Sequence, residues 1–285
     1  MTAHFSRPAP LDQAHGLRQR FSTSATRFIP VVSNPHVTFS GVMLERLCTA
    51  FGELDRHTLV IDAADTSPTP SEMIDIDLAD CIDRVSSQVS YLAARGAPLR
   101  CVDARGSTAS FLQAAADAAP QASVVLVHAS AADLCRLFMR TEARPLLLAD
   151  DRPSSVTHAY AAMKLLTQRA GLVVYDLMLC AAAHSPRSER IAMQLATCAD
   201  DFLGAVLRNW LHVDPATDAC EAPTAGLRRW AADTLQPGLQ RNLQTVSPQT
   251  LEPSWHAAME MSELSGTLAM NKLMTHGEPR MHAMN

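Results

Sequence analysis

Apolar and polar positions along the chain follow two rhythms in alternation. Short, nearly continuous apolar runs occur at Phe28-Ile29-Pro30-Val31-Val32-Ser33, Thr58-Leu59-Val60-Ile61-Asp62, Leu99-Arg100-Cys101-Val102, Ser123 to Val127, Pro145 to Leu148 and Leu172 to Leu179. Runs of this length and β-branched content predict strands buried on both faces. Pro30 lacks an amide hydrogen, so its strand needs an edge-like or bulged position there. Between the runs, helical spacing links Met43, Leu44, Leu47 and Phe51, and recurs at 107–119, 131–139, 155–168 and 187–206. Strand and helix in turn predict an α/β fold, a doubly wound, mostly parallel sheet with helices on both faces. Ligands of such sheets lie beyond the carboxyl ends of the strands, which singles out the loops after Val32, Ile61, Val127, Leu148 and Leu179.

Both ends of the chain break the rhythm. Residues 1–25 form an arm without a core of its own, in which Leu11, Ala14 and Leu17 recur at three-residue spacing. A helix there would show one narrow apolar edge flanked by Asp12, Gln13 and Arg18, and one so short needs a surface to dock on. That surface is either the chain's own domain or a partner. Residues 236–254 are rich in Pro, Gln, Ser and Thr and read as a linker. Trp255 to Met274 then places Trp255, Met259, Met261, Leu264, Leu268, Met270, Leu273 and Met274 at helical spacing, weakened by Gly266. A helix lying on lipid would want a basic face, and only Lys272 is available against Glu260 and Glu263. Docking on the domain or on another protein is the expectation, with membrane contact left open. The expected organisation is an arm at 1–25, an α/β domain at 26–235, and a linker with a helix at 236–285.

Composition narrows the functional classes. With 47% hydrophobic and 19% charged residues, the 285-residue chain is rich enough in apolar side chains for a packed core. A net charge of -5 and a pI near 6.1 argue against a nucleic-acid surface. No apolar run approaches the roughly 20 residues of a membrane span, and the N-terminus lacks the apolar stretch of a signal peptide. Seven scattered cysteines, never in a C-x-x-C pair, fit buried thiols in a reducing compartment. A cytoplasmic protein is expected, with association at the inner membrane or cell pole left open. His256, His276 and His282 are too irregularly spaced for a metal site, and Cys180 with His184 reads as a buried thiol beside a loop. Arg228 and Arg229 beside Trp230 form the most basic patch, too small for DNA.

The heptapeptide Asp12-Gln13-Ala14-His15-Gly16-Leu17-Arg18, ahead of such a domain, resembles the N-terminal motif of the FlhG (FleN) family, MinD-like regulators of flagellar number. The run Asp151 to Lys164 is similar to that family's "PEPTSLTDAYALIK" stretch. Ser185-Pro186 and Phe202-Leu203-Gly204 match a later helix and strand more loosely, and the resemblance spans about residues 11 to 235. It implies a P-loop NTPase architecture of MinD/ParA type. It also implies a partner, the signal-recognition-type GTPase FlhF, and admits flagellar transcription or assembly factors as further partners. In that family the motif's Gln enters the GTPase site and stimulates hydrolysis, which suits an amide that donates and accepts at once without adding charge. Carried over, Gln13 stimulates, Asp12 and Arg18 fix the docking, and Ala14 and Leu17 supply apolar contact.

The ATPase half of the resemblance is degenerate. A phosphate loop needs glycines and a lysine, yet the chain offers Ser33-Asn34-Pro35-His36-Val37-Thr38-Phe39-Ser40-Gly41, and its first lysine is Lys164. Where the family has Asp-x-Asp, this chain has Asp62-Ala63-Ala64-Asp65, with the second carboxylate one residue late. His128 stands where the family has an Asp near magnesium, and imidazole suits that hard cation poorly. Ala181 stands at the adenine-reading Asn. The expectation is a regulator without ATPase activity and without a cofactor. The alternatives are a residual MinD-like ATPase using ATP and Mg²⁺, or a MinD-like adaptor at the cell pole or in polysaccharide secretion.

Overall fold

A computed structural model describes residues 26–139, 141–182 and 185–236. The N-terminal motif at Asp12, Gln13, Ala14, Leu17 and Arg18 lies outside the described residues, as do His184 and the helix expected at 255–274. Strands β1 (Arg27–Val32), β2 (Thr58–Asp62), β3 (Asp83–Arg84), β4 (Val89–Ala93), β5 (Val124–Ala129), β6 (Leu146–Asp150), β7 (Val174–Cys180) and β8 (Val206–Val213) form one sheet. Their order is β3-β4-β2-β5-β1-β6-β7-β8. Only β3 runs antiparallel. The helices are α1 (Ser40–Gly52), α2 (Ala109–Ala118), α3 (Ala131–Leu137), α4 (Pro153–Ala170), α5 (Arg187–Leu203) and α6 (Ala225–Leu235).

Alternation within each strand divides the core in two. Phe28, Val32, Leu59, Ile61, Val125 and Val127 point to the side covered by α2, α3, α4 and α5. Ile29, Val31, Val60, Leu126 and Leu148 point to the other side, where Met43, Leu47 and Phe51 of α1 and Trp230 of α6 pack. All six residues of β5 are buried, as the continuous apolar run requires of a central parallel strand. Helices α4 and α5 end on Gly171 and Gly204, whose φ values of 69° and 59° are left-handed. That conformation lets the cap amides reach back to the last carbonyls and turn the chain into the next strand.

Three expectations change. Pro30 lies in a central strand, not at an edge. Arg27 N bonds to the carbonyl of Ser123, just before β5, and Ser33 N to that of Ala129 in β5, so alternation turns position 30 toward β6. Pairing with β6 begins only at Val31 and Leu146, so the missing N–H costs no ladder bond. Leu99 to Val102 is not a strand. Gly96 at φ 74° and Pro98 wind 97–101 into a 3-10 turn, leaving Leu99 and Val102 exposed. The helix expected to 206 stops at Leu203, and β8 follows as an edge strand paired only with β7.

A buried polar cluster fixes α6 to the sheet. Asp176, fully buried on β7, accepts from Trp230 Nε1 (2.7 Å) and Asn209 Nδ2 (3.1 Å) and pairs with Arg144 Nε at 2.7 Å. Burial raises its carboxyl pKa despite the opposing effects of Trp230, Arg144 and Asn209. Arg228 pairs with Glu53, the residue that caps the C-terminus of α1, at 2.6 Å. The basic patch expected around Trp230 is therefore dispersed: its aromatic ring is core and Arg228 is neutralised.

Candidate functional site

The loop after β1 stands where this kind of sheet places ligands, and its own side chains fill it. Asn34, 4% exposed, donates through Nδ2 to Leu148 O (2.9 Å), Ser155 O (3.0 Å) and Ser155 Oγ (3.1 Å). Its Oδ1 accepts from His36 N at 3.1 Å, and its carbonyl accepts from Val37 N at 3.0 Å. A phosphate cradle works by aiming successive backbone N–H groups outward at one point. Here Pro35 has none, while those of His36 and Val37 turn inward onto Asn34. Thr38, Phe39 and Gly41 are exposed and Ser40 half-buried, and Phe39 caps α1 without a side-chain bond. Ser33 bonds through its amide to Ala129 O at 2.9 Å, which simply continues the sheet.

A guanidinium closes over the loop from the far side. Arg152 donates to the carbonyl of His36 and, at 3.1 Å, to Thr38 Oγ1. Its Nε and Nη2 also meet Asp150 Oδ2 at 2.8 and 2.6 Å. Those hydrogen bonds and the Asp150 charge raise the Arg152 pKa further, so it is a fixed cation with its own counterion. The His36 ring meets His158 edge-on at 5.7 Å. Burial, and to a smaller extent the neighbouring His36, lower the His158 pKa, while a backbone hydrogen bond at Ser33 opposes them.

Two of the positions that depart from the family's nucleotide site, Asp62 and His128, come together. Asp62 and His128 are register partners on β2 and β5. His128 Nδ1 lies 2.9 Å from Asp62 Oδ1, Tyr91 Oη donates to Oδ2 at 3.0 Å, and Ala64 N reaches Oδ1 at 3.3 Å. Burial alone would raise the Asp62 carboxyl, but these partners outweigh it and hold the pKa below the ordinary carboxylate value. His128 is 2% exposed and its Nε2 has no partner. Asp65 is exposed on the turn that follows, where its carbonyl accepts from Arg95 Nη1 at 3.3 Å. Its carboxylate is not part of the Asp62–His128 pair. Among the described residues no group of three or more His, Cys, Asp or Glu side chains is arranged to hold a metal ion. No described helix is long and apolar enough to cross a membrane.

Solved structures match this architecture. A plasmid partition protein from Borrelia burgdorferi bound to AMPPNP superposes with a TM-score of 0.52 at 6% identity, covering 74% of this chain and 98% of that one. Cobyrinic acid a,c-diamide synthase from Mycobacterium smegmatis, with an ATP analogue and magnesium, gives 0.51 at 12% identity, over 73% and 93%. This is the MinD/ParA-like P-loop NTPase fold. A ParA family ATPase from Chlorobium tepidum, at a TM-score of 0.49 and 13% identity, covers 74% of this chain and 99% of its own. No protein-family profile matches the chain, and no curated protein matches it in sequence. Asn34 stands in the loop singled out from sequence and Arg152 in the run matched to the family; the staple and the bridge that they form were not foreseen. The partners that make those contacts, Leu148 and Ser155 for Asn34 and His36 and Thr38 for Arg152, are more than a hundred positions away in sequence.

Proposed function

We propose that the protein is a regulator of flagellar assembly resembling FlhG, which acts on an FlhF-type GTPase through its N-terminal arm while its α/β domain works without nucleotide. The observation that carries the second half is the loop after β1. Its donors are spent on Asn34, and Arg152 with Asp150 occupies its mouth. A triphosphate would have to break those bonds and would find neither convergent N–H groups nor a lysine to replace them. The heptapeptide at 12–18 supports the first half, because it retains the amide and flanking charges of a GTPase-activating motif.

The fold favours one alternative, a residual ATPase, since related folds have been captured with nucleotide analogues. Isothermal titration of the full chain with ATP and Mg²⁺ separates the readings. No heat of binding at 100 μM nucleotide is expected, whereas a micromolar Kd would sink the nucleotide-independent reading.

A further inference from the structure

Among the described residues, one strip of the sheet is uncovered. Eight strands at about 4.8 Å make a surface about 34 Å wide, and a packed helix covers about 10 Å of it. Four helices cover one side, but among the described residues only α1 and α6 cover the other. Beside α1 this leaves an open groove of about 770 Å³ above β2 and β4. Val60, Val89 and Tyr91 form its floor, and Leu44, Cys48 and Gly52 form its wall. Its charged lining groups are Glu45, Glu53 and Asp62, all acidic. Glu53 is paired with Arg228 and Asp62 with His128, whereas exposed Glu45 has no ion-pair partner among the described residues.

The geometry selects an occupant. Arg27, Val124, Thr58 and Val89 are in register across β1, β5, β2 and β4. The chain therefore enters β1 level with the lower end of the groove, three strand spacings or about 14 Å away. Residues 21–25, extended, span about 17 Å and bridge that distance. Residues 11–20 as a helix would rise about 14 Å, against about 17 Å of α1 from Gly41 to Gly52. The arm carries Arg7, Arg18 and Arg20 against Asp12, opposite in sign to the groove. The segment at 255–274 carries Glu260 and Glu263 against Lys272, the same sign as the groove.

From these matches of reach, length and charge we infer that residues 11–20 of the arm dock in this groove. Leu11, Ala14 and Leu17 lie on its apolar floor, and Arg18 and Arg20 turn toward Glu45 and Glu53. The docked arm keeps Gln13 from the partner GTPase, so the groove is the off position of the activating motif. That consequence rests on the proposed function; the docking does not.

Limited trypsin digestion of the native full chain tests the docking, by cleavage after Arg18 and Arg20. Cleavage tracks the undocked population, so Glu45→Lys at the groove and Leu17→Asp in the arm should each accelerate it about tenfold. The thermal midpoint of Glu45→Lys should stay unchanged, since Glu45 is exposed, so its faster cleavage would not come from unfolding of the domain. Equal cleavage rates in all three proteins would overturn the docking. So would acceleration after Lys272 instead, which assigns the groove to the C-terminal segment, or protection that grows with protein concentration, which assigns it to a second copy. GTP turnover by the partner should also rise with Glu45→Lys. If the arm is released and turnover does not respond, the docking stands and the GTPase reading falls.

Discussion

Replacing Asn34 by alanine separates a structural loop from a ligand loop. The side chain is 4% exposed, and its amide nitrogen serves Leu148 O, Ser155 O and Ser155 Oγ while Oδ1 holds His36 N. Truncation leaves those groups without their partner in a site where β6, α4 and the loop meet. A buried group so orphaned costs on the order of 1–3 kcal/mol, and partial relaxation of the exposed loop lowers the sum. We expect a loss of about 3 kcal/mol. For a folded domain of this size, about 2–4 °C per kcal/mol predicts a drop in Tm of about 6–12 °C. Thermal melts followed by circular dichroism read it directly. A loop kept for binding phosphate would instead melt within about 2 °C of wild type, and that result would refute the structural reading of the loop.

Three further outcomes follow from other parts of the molecule. Asp176→Asn leaves Arg144, whose side chain is 7% exposed, without its counterion, and should cost about 3 kcal/mol by urea titration; a loss below about 1 kcal/mol would reject the cluster as the anchor of α6. Asp62 has a folded pKa below its unfolded value, so its contribution is complete above about pH 5 and disappears as pH falls through the depressed folded value. Acid melts of Asp62→Asn should therefore lose stability less steeply below pH 4 than wild type, and parallel curves would contradict the pairing with His128. Gly204→Ala places a Cβ at φ 59° and should cost about 1 kcal/mol, read as a Tm drop of about 2–4 °C.

The fold was legible where residues carry their signal locally. The apolar runs of β2, β5, β6 and β7 identify strands because burial on both faces leaves no room for polar alternation. Strand β4 escaped notice because Ser90 interrupts its apolar side chains and its outer neighbour is only the two-residue β3. Leu99 to Val102 misled for the opposite reason: its side chains suit a strand, but Gly96 and Pro98 set the backbone. Arg208 and Asn209 hide β8 behind an apparent helix end, and a register shift opposite Tyr175 and Asp176 disguises its alternation. At the site, the missing glycines and lysine were visible in sequence, and so were Asp62 and His128 at neighbouring strand ends. What replaced the cradle was not visible. Arg152 reaches the His36 carbonyl, and Asn34 reaches Ser155, across contacts that only the folded sheet creates.

The proposed function has the arm act on the GTPase while the domain works without nucleotide. GTP turnover by the FlhF-type partner, measured with the full chain in the absence of ATP, tests it most directly. The chain with its arm released by Glu45→Lys should accelerate turnover about tenfold or more, and Gln13→Ala in the same chain should abolish the effect while leaving binding in place. Turnover that does not change on adding the arm-released chain, or stimulation that survives Gln13→Ala, would contradict it.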